Sequence, residues 1–185
     1  MEAPSPRDAA PVAIPLHHQL RTRTAVAHAR LDAGFQGGFG DARGYAAYLA
    51  GMAAFLDAAI AAIGAEPWLA GARGTLARDL GQPAPVLPAP TTRDPARVAG
   101  WRYVVAGATL GARVLLREAR ALDGGAPTAF LSTFSGSDAW PRCLVLLRDA
   151  GFDAGARARA CEAALEAFDA AEAALHHARI QAHAA

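Results

Sequence analysis

Apolar residues return every three or four positions along most of the chain, with charged or small residues between them, which is the period of helices that bury one face. The pattern predicts a first helix from about Leu16 to Gly34, ended by the four glycines of GFQGGFGD. Asp41 caps a second helix from about Ala42 to Ile63. A third starts at Glu66 and Pro67, where proline suits a first helical position, and fades at Gly81. GQPAPVLPAPTTR carries four prolines and reads as an extended loop. Asp94 and Pro95 open a fourth helix that runs to about Leu122, where DGGAP ends it. A short helix around Thr128 to Phe134 follows, then another from about Ala139 to Ala150, and Asp153 caps a last helix reaching His176 or beyond. Helix after helix on short connections is a bundle, so the expected fold class is all-α, one multi-helical domain over residues 16–185. Residues 1–15, rich in Pro and Ala, read as a disordered leader.

Composition sharpens this picture. The 185 residues suit one domain with a real core, and Ala and Leu dominate a 53% apolar fraction, which favours helix over sheet. A formal net charge of +1 offers no handle for nucleic acid or an anionic membrane surface. No apolar stretch is read as reaching the roughly 18 residues of a membrane span, and the N-terminus has no secretory pattern. Cys143 and Cys161 lie in separate helices without CxxC spacing, so neither a disulfide framework nor a zinc site is expected, and a cytoplasmic location is.

Helix one is the first candidate for chemistry. Leu20, Thr24, Ala27, Leu31 and Phe35 share a face, and His28 is read onto that face with them. A histidine there is either a core residue satisfied by a hydrogen bond or an axial ligand to a heme iron, since neutral imidazole suits iron in a helical fold. Arg21 stands two turns earlier on the same side, either solvated or placed to pair with a carboxylate such as a heme propionate. In helix four, Gly107 and Gly111 are four residues apart, and each interior glycine costs about 1 kcal/mol against alanine. Two reasons would justify them: close packing against another helix, or a flat ligand lying on bare backbone.

Other patterns carry less. GFQGGFG follows a helix, not a strand, and lacks the Lys-Ser/Thr of a phosphate loop. The adjacent pairs His17–His18 and His176–His177 point in diverging directions on a helix, and no ExxH pair suggests a di-iron bundle. Ser132, Ser135 and Ser137 have no histidine nearby in sequence to activate them.

LRTRTAVAHARLD resembles the LRxxTxxxHxxLD signature of bacterial heme oxygenases, especially those linked to bacteriophytochromes, through Leu20, Arg21, Thr24, His28, Leu31 and Asp32. GWRYVVAGATLGARVLLREA resembles that family's GxxYVLEGSxLGGxVLxR helix, through Gly100, Tyr103, Val104, Gly107, Leu110, Gly111, Val114, Leu115 and Arg117. Weaker echoes at PWL, LARDLG, PTAFL and Trp140 keep the same order along the chain. The resemblance implies a heme oxygenase-like helical bundle with heme as both substrate and cofactor, cleaved by O2 and reducing equivalents to biliverdin, CO and iron. It implies His28 as the proximal iron ligand, Arg21 on a propionate, Tyr103 in the heme site, and Gly107 and Gly111 in a distal helix kinked over the porphyrin. An electron donor such as a ferredoxin or flavoprotein would be a partner, and a bacteriophytochrome another. The chain departs from the pattern at Ala106, where the family has glutamate, at Ala108, where relatives carry a polar residue, and at Ala112, a frequent third glycine. Thr109 is the nearest polar substitute. These departures bear on turnover more than on binding, and the alternative they leave is a non-catalytic heme-binding or heme-sensing protein of the same fold.

Overall fold

In the computed structural model, the residues described are 14–35, 37–83, 85–88, 91–122 and 124–184. The N-terminal leader expected from the sequence lies almost wholly outside them. The described residues form seven helices and no strand: α1 (Leu16–Ala33), α2 (Ala42–Ile63), α3 (Pro67–Asp79), α4 (Pro95–Arg120), α5 (Ala129–Ser135), α6 (Ala139–Asp149) and α7 (Ala154–Ala184). The fold is an all-α multi-helical bundle.

Local chemistry starts the helices where the sequence expects it. Asp41 accepts from the Gly44 N–H at 2.8 Å, Asp94 from Ala96 at 3.0 Å and Asp153 from Ala156 at 2.7 Å, each satisfying a donor that the first helical turn leaves free. Pro67 and Pro95 occupy first helical positions, where a missing N–H costs nothing. Gly38 and Gly40 turn the chain between α1 and α2 at positive φ, a region open to glycine.

α2 and α7 form the centre. α2 corrects one expectation: its 22 residues include an 18-residue window of mean hydropathy 1.8, long and apolar enough by those measures to cross a membrane. Two thirds of that window (67%) is buried inside the bundle. A helix packed on several sides has few positions left for polar residues, so it reads as continuously apolar.

α1 runs alongside α7 in the same direction. Arg157 donates to the Ile14 carbonyl at 2.8 Å, Arg30 meets Glu172 at 3.2 Å, and Arg179 donates to the Gly34 carbonyl at 2.7 Å. α4 also packs on α7, but chiefly through its N-terminal half. Asp94 pairs with Arg159 at 2.9 Å and Arg97 with Glu166 at 2.5 Å, and a methyl group at Gly100 would collide with the Ala160 carbonyl oxygen. α2 runs antiparallel to α4, with Phe55 stacked near Trp101 at one end and the α1–α2 turn at Glu118 at the other. α1 and α4 are thereby two neighbours held by a common support rather than by each other.

Candidate functional site

α1 and α4 are neighbours that touch little, which leaves a gap between them, and each carries a stripe of candidate residues. On α1, Arg21, Thr24 and His28 fall three and four residues apart and share a side. On α4, Tyr103, Gly107, Gly111, Val114 and Glu118 do the same. Tyr103 fixes their relation. Burial raises its phenol above the ordinary pKa, while the Thr24 hydroxyl and the Arg21 guanidinium pull it back down, so this ring sits against the α1 stripe. The structure therefore brings Arg21, Thr24 and Tyr103 together.

His28 departs from the expectation that it joins the apolar face. Leu20, Thr24 and Ala27 are buried, but the His28 side chain is 62% exposed and stands at the margin of that face. The core-histidine alternative is thereby excluded. One position along the helix is a rotation of about 100°, enough to take His28 out of the interior that Ala27 enters. Its ring is nevertheless held. Nδ1 lies 2.9 Å from Asp32 Oδ2, and Phe168 of α7 meets it edge-on with centroids 5.7 Å apart. An ionised carboxylate can only accept, so Nδ1 carries a proton, and in the neutral ring the Nε2 lone pair is then free. Asp32 thus orients the His28 ring, and spacing could have revealed it, since it stands four residues after the histidine.

The glycines of α4 divide by what surrounds them. A methyl at Gly107 would make ordinary contact with the Trp140 ring of α6, at 3.5 Å, and at Gly111 it would meet nothing within 4 Å among the described residues. Helix packing is therefore not what holds either position to glycine. Leu110 and Val114 beside them are 41% and 48% exposed, unusual for large apolar residues in a helix that is otherwise part of the core. α4 forms one helix from Pro95 to Arg120, so the expected kink at Gly107 and Gly111 does not interrupt it. At the far end, Glu118 reaches beneath Gly38, and its Oε2 is buried with no hydrogen-bond partner among the described residues.

The polar residues expected near this face lie elsewhere. Thr109 is buried, and its hydroxyl donates to the Ala106 carbonyl of its own helix at 2.6 Å, so it offers nothing to the gap. Ala106 is wholly buried. The α4 side of the gap is apolar from Gly107 to Val114.

Two cavities lie away from the gap. One of about 260 Å³ lies between α4 and α6, lined by Ala99, Arg102, Cys143 and Leu147. Burial pushes the Cys143 thiol up to about 12, which leaves it protonated and unreactive. The other, of about 490 Å³, opens between the starts of α1 and α7, beside His18, Arg23, Arg157 and Cys161. Neither is lined by His28, Gly107 or Gly111; the space above Gly111 is open among the described residues. Among the described residues no three His, Cys, Asp or Glu side chains gather as a metal site. α1 and α4 offer instead one exposed imidazole, one exposed arginine and a helix face with open backbone at Gly111. No protein-family model matches the chain, and no match to a curated protein was found.

Proposed function

We propose that the groove between α1 and α4 binds heme, and that the protein is a heme oxygenase-like oxidoreductase that opens heme to biliverdin, CO and iron. The observation that carries this reading is the uncovered face of α4. Among the described residues nothing lies within 4 Å of where a methyl at Gly111 would stand, and Leu110 and Val114 beside it are exposed. A flat apolar ring fits such a face, because bare backbone allows it to lie flush. The donor set fits as well. His28 presents a free Nε2, oriented by Asp32 as outer carboxylates orient ligating histidines. Arg21, exposed at the rim beside Tyr103, suits a propionate.

When bound, heme supplies the O2-activating chemistry and is itself the substrate; the chain supplies placement. His28 holds the iron side of the ring, Asp32 keeps the imidazole in one tautomer, and Arg21 fixes the propionate edge. Gly107 and Gly111 would do catalytic work by position, letting the ring lie flush on the helix. Electrons come from a partner such as a ferredoxin or flavoprotein, the setting is cytoplasmic, and a bacteriophytochrome is the proposed recipient of the product.

A second reading, a heme-binding or heme-sensing protein without turnover, is favoured by the apolar groove wall. Thr109 spends its hydroxyl inside α4, and Ala106 and Ala108 bring no polar group to hold water there. Incubation of the hemin-loaded protein with a ferredoxin reducing system in air separates the two. Biliverdin in the product chromatogram, undiminished by catalase, supports the enzyme. Heme that stays intact, or is lost only to free peroxide, supports the binding protein.

A further inference from the structure

The two glycines of the groove face different surroundings, and the difference centres on Trp140. Above Gly111 the groove is open, whereas the space above Gly107 is bounded by the Trp140 ring, 3.5 Å from where a methyl group would stand. That ring is braced. Tyr103 lies against it with centroids 5.5 Å apart, and Tyr103 in turn sits by Thr24 and Arg21 of α1. The backbone beneath it is fixed too, because Ala139 and Cys143, on either side of it in α6, are buried. A line of side chains from Thr24 and Arg21 on α1 through Tyr103 to Trp140 therefore bounds the face of α4 at Gly107, while Leu110 and Val114 stay exposed.

We infer that Trp140 is the stop that sets where a flat ligand sits along α4: the ring plane lies over Gly111 and Val114, and its edge abuts the indole at Gly107. The inference rests on the proposal of a planar tetrapyrrole in this groove and deepens it by naming a positioning residue on α6. Aromatic side chains suit this task, since an indole edge or face meets another π system at 4.5–7 Å between centroids and resists compression. It also assigns the glycines separate roles. Gly107 tolerates a methyl group, which meets only the indole at an ordinary distance. Gly111 does not tolerate one once the ligand is present, because the ligand itself fills the space over it.

The test uses hemin, the full chain and two variants, Trp140→Ala and Trp140→Phe. Absorption titrations give affinity, and proton NMR of the cyanide-ligated ferric complex counts how many orientations the ring adopts from its shifted methyl signals. Removal of the stop predicts affinity about three- to tenfold weaker in Trp140→Ala, the size expected for one lost aromatic contact, together with a new set of methyl signals. Trp140→Phe keeps the wild-type number of methyl signals but displaces them, because a smaller ring stands at the same place. Melting of the apo forms checks that Trp140→Ala still folds, and Trp140→Phe carries the comparison if it does not, because a smaller ring still shifts the methyl signals it abuts. A wild type that binds hemin while both Trp140 variants give unchanged affinity and unchanged methyl signals overturns the stop but leaves the heme site standing. A wild type that takes up no hemin overturns both.

Discussion

The two halves of α4 carry glycine for opposite reasons. In the N-terminal half, Gly100 lets the helix press on α7 so closely that a methyl group there would overlap the Ala160 carbonyl oxygen and crowd Ala163 at 2.9 Å. The same half is tied to α7 by Asp94–Arg159 and Arg97–Glu166, and Val105 below it is wholly buried. In the C-terminal half, Gly111 meets nothing among the described residues, and Leu110 and Val114 are left exposed. A glycine that packs contributes to the fold by close contact. A glycine that packs against nothing weakens its helix by about 1 kcal/mol and returns nothing to the apo protein. The contrast places the structural work of α4 at its start and the open face beyond its middle.

Substitution should separate the halves. Gly100→Ala carries the largest expected cost to the fold, about 1–3 kcal/mol of overpacking, because the obstacle is helix backbone that cannot rotate away. Chemical denaturation of the apo protein measures it, and a change within error would mean that α4 and α7 are less tightly apposed than described. Gly111→Leu should do the reverse. Apo stability stays level or rises by about 0.5–1 kcal/mol as helix propensity improves, while hemin affinity falls by about a hundredfold or more because the side chain occupies the ring's place. A Gly111→Leu protein that melts far below wild type yet binds hemin normally would show that a different face of α4 meets the ligand.

The smallest expected effect lies at the anchored end. Asp94 is held below its ordinary pKa first by the Ala96 N–H and also by Arg159. A carboxyl depressed on folding adds stability that is fully present above its unfolded pKa and fades as pH falls through the lower folded value. Melting of wild type and Asp94→Asn from about pH 6 to pH 2 should therefore show a gap that closes in acid, since asparagine still caps but cannot pair with Arg159. A gap that widens in acid would contradict the cap.

Most of the fold was legible because its punctuation is local. Asp41, Asp94 and Asp153 cap their helices, Pro67 and Pro95 open theirs, and all seven helices start within a residue of where the pattern places them. The last helix runs on to Ala184, and the loop of prolines carries no helix where it is described. The site was less legible because it depends on neighbours. Gly100, Gly107 and Gly111 look alike in sequence, and only the helices beside them tell a packing glycine from an open one. Spacing placed His28 near the right face but not its exposure, which turns on a rotation finer than the three-and-four repeat resolves. Thr109 was a candidate polar residue until its hydroxyl was found bonded within its own helix. Trp140 comes from an element far along the chain, and nothing local signals that it would stand at Gly107.

Hemin titration of wild type beside His28→Ala, followed by absorption in the Soret and ligand-field regions, tests the heme site most directly. Wild type should take up one hemin with the bands of imidazole-ligated iron. The variant should lose those bands and regain them when free imidazole is added, because the groove opposite Gly111 is intact and only the ligand is missing. The same spectrum from both proteins would remove His28 from the site, and with it the assignment of the groove between α1 and α4 as the place where heme binds.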